Sequence, residues 1–212
     1  MFHLNQVKYR DILYIDNLHI DSNCITCILG KSGGGKTTLL KLLNNMLTPD
    51  SGLITYRGKD LNTYNPVFLR RSIPMLPQNP VVFPGSIRDN FRLVEEYTEK
   101  PPAPDSRYLD LLKMVGLNYK PGENASNLSG GEKQRLALAR IMLLKPDTLL
   151  LDEPSSALDS ETERFIISMV VDYIKARKGT LVMVTHSSLI ANKFAEKTIV
   201  VNEGTVEKVI ER

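Results

Sequence analysis

Apolar residues along this chain recur with two periods, and the change of period marks its elements. Alternation at every second position, or short apolar runs closed by turn residues, predicts extended segments at Leu4–Tyr9, Leu13–Ile20, Ile25–Leu29, Leu53–Tyr56, Ser72–Leu76, Thr148–Leu151, Leu181–Thr185, Thr198–Asn202 and Thr205–Ile210. Spacings of three and four predict helices at Lys36–Asn45, Asp105–Val115, Lys133–Lys145 and Thr162–Lys178, with a shorter one after Ser86. Strands and helices alternate in both outer thirds, whereas the middle, from about Phe83 to Lys145, reads as helices only. This pattern predicts one α/β domain over 1–212, with a core from 1–82 and 146–212 and an inserted helical subdomain over 83–145. The stretch TEKPPAPDSR at 98–107 is too rich in proline and charge for a helix and reads as a linker.

Composition narrows the picture. A chain of 212 residues can bury a substantial core without disulfides or metal. Its 27 basic residues are nearly balanced by 24 acidic ones, and the resulting charge of +3 gives no reason to expect a nucleic-acid partner. MFHLNQVKYRD has no basic region followed by an apolar run and a cleavage site, so a cytoplasmic location is expected. No run approaches the roughly 20 apolar residues a membrane helix needs. Cys24 and Cys27 form a C-x-x-C, but strand alternation puts them on opposite faces, and one pair supplies half of a four-ligand zinc site. A structural role is expected for both.

Two stretches have the design of a helix N-terminus that holds an anion. The first is G-x-x-x-x-G-K-T, read as Gly30, Lys31, Ser32, Gly33, Gly34, Gly35, Lys36 and Thr37. Its glycines let successive N–H groups point at a phosphate, and the helix beginning near Lys36 adds the positive end of its dipole. Lys36 reaches the β and γ phosphates, and the Thr37 hydroxyl can ligate Mg²⁺. The second is NLSGGEKQR, residues 127–135, which runs straight into the apolar helix LALARIMLLK. Between these motifs and the C-terminus lies TLLLDEP, an apolar strand that delivers Asp152 and Glu153 to the carboxyl edge of a parallel sheet, where ligands collect. A phosphate loop and paired carboxylates together predict a nucleotide hydrolase.

LSGGEKQR resembles the signature sequence of the ATP-binding cassette (ABC) family, and other elements of that family follow in order. Gln78 in PMLPQNP is similar to the Q-loop glutamine, Asp159 closing SALD to the D-loop aspartate, and His186 in VMVTHSS to the switch histidine. The resemblance covers the whole chain. It implies a P-loop NTPase with a RecA-like core, an antiparallel β subdomain and an inserted α-helical subdomain. ATP and Mg²⁺ are the implied cofactors, and a head-to-tail homodimer is the implied ATP-bound state. Ser129, Gly130 and Gly131 of one chain would then meet the γ-phosphate held by Gly30–Thr37 of the other, which explains why one chain carries two anion motifs.

The same resemblance implies the individual roles. Gly33, Gly34, Gly35, Lys36, Thr37 and Thr38 would cradle the phosphates, Thr37 and Gln78 would ligate magnesium, and Asp152 would act on the metal through water. Glu153 would be the general base, His186 would contact the γ-phosphate, and Tyr9 would lie against adenine. Two positions depart from the pattern: Glu132 replaces a frequent glutamine, and Ala125 in GENASN replaces a glycine found in many exporters.

NPVVFPGSIRDNF carries Val81, Val82 and Phe83, and in the family this surface accepts a helix of a membrane subunit. The resemblance therefore implies an ATPase subunit held at the inner face of the cell membrane by a separately encoded integral membrane partner, as in small two-component transporters that include metal exporters. The alternative is a regulatory cassette that acts on a membrane partner without transport. A chromosome-organising ATPase would interpose a long coiled coil, and only about ninety residues without heptads separate the loop from the signature. A ribosome-associated member would usually carry two cassettes.

Overall fold

A computed structural model describes residues 1–155 and 158–212. Ser156 and Ala157, within the SALD stretch assigned to the D-loop, lie outside the described residues. The chain opens with a hairpin, β1 (Phe2–Tyr9) and β2 (Leu13–Ile20), joined by β4 (Ser51–Tyr56) and β5 (Lys59–Asp60) into an antiparallel sheet of order β2-β1-β4-β5. In β1 the inward positions are Phe2, Leu4, Val7 and Tyr9, and the slip of the two-residue period between Leu4 and Val7 coincides with a left-handed Gln6 (φ 50) and a register shift against β4.

A second sheet of six strands forms the centre. It contains β3 (Ile25–Leu29), β6 (Met75–Leu76), β7 (Thr148–Asp152), β8 (Thr180–Val184), β9 (Lys197–Asn202) and β10 (Thr205–Glu211), in the order β10-β9-β3-β8-β7-β6. All neighbours are parallel except β10 on β9. Because both faces are covered, β7 and β8 are apolar throughout rather than alternating. Cys27, Leu149, Leu151, Leu181 and Met183 face one core, and Ile28, Leu150, Val182 and Val184 face the other. The first core is completed by α5 (Gly130–Leu143) and α6 (Ser160–Ala176), the second by α1 (Lys36–Leu43) and the antiparallel sheet. Three layers result. Cys24 and Cys27 are free thiols, and burial pushes Cys27 up to about 12.

The helical region contains α3 (Ile87–Tyr97), α4 (Asp105–Met114) and α5. The rings of Phe91 and Tyr108 stack at 4.8 Å, and Tyr108 Oη donates to the buried Glu95 at 2.6 Å. Glu95 also accepts from the Ala103 N–H at 2.9 Å, which fastens the proline-rich connection to the subdomain it crosses. Helix α4 begins at Asp105, where the sequence places it, so the last three residues of the stretch read as a linker over 98–107 belong to the helix.

Three elements were not expected. Helix α2 (Pro66–Ser72) occupies the start of the segment read as a strand from Ser72, leaving only Met75–Leu76 as β6. Its signal is the Asn65 side chain, which accepts from the N–H groups of Val67 and Phe68, with proline at the first helical position. Helix α7 (Ser188–Phe194) and the two-residue β5 are too short for periodicity to register.

Candidate functional site

Four neighbouring parallel strands, β3, β8, β7 and β6, each deliver chemistry at their carboxyl ends: the glycine loop, His186, the Asp152–Glu153 pair and Gln78. Helix α1 has Gly35 at its N-cap, whose φ of 93° is costly for a side-chain-bearing residue, and no side chain caps it. Its first-turn N–H groups are therefore free for an anion. Gly33 is also left-handed (φ 78), and a Cβ there would meet nothing within 4 Å, so the space over the loop is open. Lys36 is buried, with Nζ donating to the carbonyls of Gly30 at 2.9 Å and Lys31 at 2.7 Å. Burial pushes its pKa down, against the opposing pull of Glu153 and Asp152.

Asp152 and Glu153 are adjacent in sequence but aim at different partners. Thr37 Oγ1 donates to Asp152 Oδ1 at 3.0 Å, and burial pushes the Asp152 carboxyl above the usual range. Glu153 is left-handed (φ 47), a strained backbone conformation for a side-chain-bearing residue. Gln78 Nε2 donates to Glu153 Oε2 at 2.8 Å, and His186 Nε2 lies 2.6 Å from Glu153 Oε1. Gln134 of α5 donates to the Glu153 carbonyl at 3.2 Å, while its own buried Oε1 has no partner among the described residues.

A cavity of about 290 Å³ lies over the loop, lined by Ser32, Gly33, Gly34, Gly35, Lys36, Thr37, Thr38, Gln78, Glu153, His186 and Ile12. Tyr9 does not line this cavity. It is 8% exposed and packed in the core under the antiparallel sheet, because it falls on the inward set of β1. Ile12, in the β1–β2 turn and 41% exposed, stands at the cavity instead. Ser129, Gly130, Gly131 and Asp159 do not line it. Ser129 caps α5, its hydroxyl accepting from the Glu132 N–H while Glu132 accepts from the Ser129 N–H, and Asp159 caps α6 through Glu161, Thr162 and the Thr162 hydroxyl. The sequence reading missed Gln134 and Ile12. Gln134 stands inside the second anion motif and Ile12 in a hairpin turn, and neither position carries a residue type that signals a site.

The sequence pattern described as ABC transporter matches residues 14–156. The chain belongs to the ABC transporter family. As an ABC cassette it is 39% identical over 205 residues to the lactococcin-A transport/processing ATP-binding protein of Lactococcus lactis subsp. lactis, covering 93% of this chain and 28% of that protein. It is 34% identical over 199 residues to a putative export ATP-binding/permease protein of Rickettsia bellii, covering 89% of this chain and 33% of that one. The cassette thus spans about a third or less of the length of these relatives. Among solved structures, a dimeric ATP-binding cassette in a post-hydrolysis state with ADP and Pi superimposes with a TM-score of 0.87 at 27% identity, covering 100% of this chain and 98% of that one. A cassette from Clostridium perfringens, part of an ABC transporter complex, gives 0.84 at 27% identity over 99% and 88%. Among the described residues, no helix is long and apolar enough to cross a membrane.

Proposed function

We propose that this cassette hydrolyses ATP with Mg²⁺ at sites shared by two copies packed head to tail, and so drives a membrane-spanning transporter partner in export. The observation that carries this reading is the Glu153 carboxylate, set between Gln78 and His186 at the mouth of an uncapped helix built to hold phosphate. In phosphoryl transfer the protein mainly positions groups and stabilises charge, and a carboxylate fixed at two points can orient an attacking water. Magnesium suits the donors. Thr37, Gln78 and Asp152 offer hard oxygen ligands, and Asp152 is a buried acid that a cation would hold ionised. The metal would supply charge neutralisation of the phosphates, while Lys36 would leave its loop carbonyls to bind them.

Ser129 and Gly130 are exposed, with open space where a Gly130 Cβ would stand, so the Gly130 N–H and the Ser129 hydroxyl proton are available to a second molecule, while the Ser129 N–H is held by Glu132. The dimeric solved relative and the export named for the Rickettsia relative support the assembly and the direction. Val81 and Phe83 are exposed apolar residues just beyond Gln78 and fit a membrane partner held at the inner face of the cell membrane.

The test is Glu153→Gln. Binding of Mg-ATP should persist, turnover should fall by about 10²–10⁴, and an ATP-bound dimer should accumulate on size exclusion. Turnover near the parental rate removes Glu153 from this role, and purification without any multispanning protein removes the membrane partner.

A further inference from the structure

Beyond Gln78 the chain runs through Val81, 65% exposed, and Phe83, 38% exposed, before entering α3. Side chains of two different helices hold this segment. Asn90 of α3 is fully buried; its Oδ1 accepts from the Phe83 N–H at 2.9 Å, and its Nδ2 donates to the carbonyls of Phe83 at 2.9 Å and Ser86 at 3.1 Å. Arg140 of α5 donates through Nη1 to Asn90 Oδ1 at 3.0 Å and through Nη2 to the Val81 carbonyl at 2.6 Å. Its guanidinium also lies 5.2 Å from the centroid of the Phe83 ring. No carboxylate pairs with Arg140 among the described residues, and burial pushes its pKa down. A largely desolvated cation held by neutral acceptors is an expensive way to pack a helix, and an aliphatic side chain would fill the same space at lower cost.

Helix α5 also begins at Ser129 and reaches Glu153 through Gln134. Gln78 touches the same glutamate from the other side. With the backbone between Gln78 and Val81, and helix α5 between Gln134 and Arg140, these hydrogen bonds close a ring from Glu153 through the post-Gln78 segment and back.

We propose that Arg140, braced by Asn90, is a positioning residue that makes the Val81–Phe83 surface move as one body with helix α5, so that nucleotide occupancy is transmitted to the surface where the membrane-spanning partner docks. The identity of that partner, and ATP as the nucleotide, rest on the function proposed above. The planar fork makes two hydrogen bonds and a ring contact at once, which a lysine cannot reproduce. Transmission requires such a contiguous connection, biased by a ligand at one end.

The chain contains no tryptophan, so Phe83→Trp places a single indole under Arg140. In the Glu153→Gln background, Mg-ATP should shift its emission. Adding Arg140→Lys should abolish the shift while ATP affinity by calorimetry and the melting temperature remain close to those of the parent. A shift that survives Arg140→Lys overturns the proposal, as does its absence from the parent indole chain that binds ATP. A chain that binds no ATP at all overturns the functional reading and the proposal with it, and calorimetry separates that case.

If Arg140→Lys does not fold, amide exchange on the unsubstituted chain decides. The Phe83 N–H and the amides of α5 should change their exchange together on adding a non-hydrolysable ATP analogue, by about tenfold, within the range of coupling between sites. A response in α5 without one at Phe83 overturns the linkage.

Discussion

Two neighbouring carboxylates at the end of β7 occupy opposite situations, and this division organises the site residue by residue. Glu153 is held by two side chains, whereas Asp152 is buried with one hydroxyl donor and a carboxyl pushed upward by desolvation. A raised folded value means the folded chain keeps a proton that the unfolded chain has already released. Stability from this group is therefore lost as pH rises from the ordinary aspartate range through the raised value. Asp152→Asn keeps an acceptor for Thr37 and removes the buried charge. It should raise the melting temperature of the nucleotide-free chain at neutral pH, by about 2–4 °C for each kcal/mol of relief, and abolish the extra stabilisation that Mg²⁺ adds to ATP. Scanning calorimetry with and without Mg-ATP checks both effects, and a lower melting temperature for the nucleotide-free variant contradicts the burial argument.

At the scale of elements, α5 begins at a serine that caps it and that the proposed function also gives to a phosphate. Ser129 and Glu132 form a reciprocal cap, and Tyr119 Oη donates to the same glutamate at 2.9 Å. Ser129→Ala should cost roughly 1 kcal/mol of stability, and Ser129→Gly only a few tenths. If the hydroxyl also serves a phosphate, both variants should lose ATP turnover to a similar degree. Urea unfolding beside steady-state ATPase separates the two roles, and turnover that tracks stability removes the phosphate role. The glycine loop and the apolar strands β7 and β8 were legible because their signals are local: a turn chemistry and a run of buried positions. Helices α2 and α7 were not, since α2 buries only Leu69 and α7 only Ile190 and Ala191. The inward placement of Tyr9 was not legible, because the slip at Gln6 that sets it is a tertiary fact which a tyrosine near a turn does not announce. The contacts of Gln78, His186 and Gln134 with Glu153 likewise depend on strand order, which brings together residues up to 75 positions apart.

At the scale of the whole molecule, the two anion motifs of one chain do not share a cavity, since Ser129, Gly130 and Gly131 are absent from the lining of the loop pocket. A second copy is what would bring the motifs together, and ATP can favour that state only by contacting it better than the open one. Moving an equilibrium from 1:99 to 99:1 needs about 5.5 kcal/mol. Hydrogen bonds to a charged group contribute roughly 1.5–3 kcal/mol each, so two from each of two signature helices are enough. In the proposed head-to-tail dimer, Ser129→Arg would fill the space of the opposite γ-phosphate while leaving the chain's own loop intact. Introduced into Glu153→Gln chains, it should leave ATP affinity unchanged and abolish the ATP-dependent dimer on size exclusion. Mixing Ser129→Arg chains with Lys36→Ala chains, both otherwise parental, pairs one intact loop with one intact signature. That mixture should regain ATPase activity which neither chain shows alone, in proportion to the mixed dimer formed. Dimerisation of the Ser129→Arg, Glu153→Gln chain as readily as Glu153→Gln alone would place NLSGGEKQR away from the partner's phosphate. The second anion motif would then need a ligand of its own.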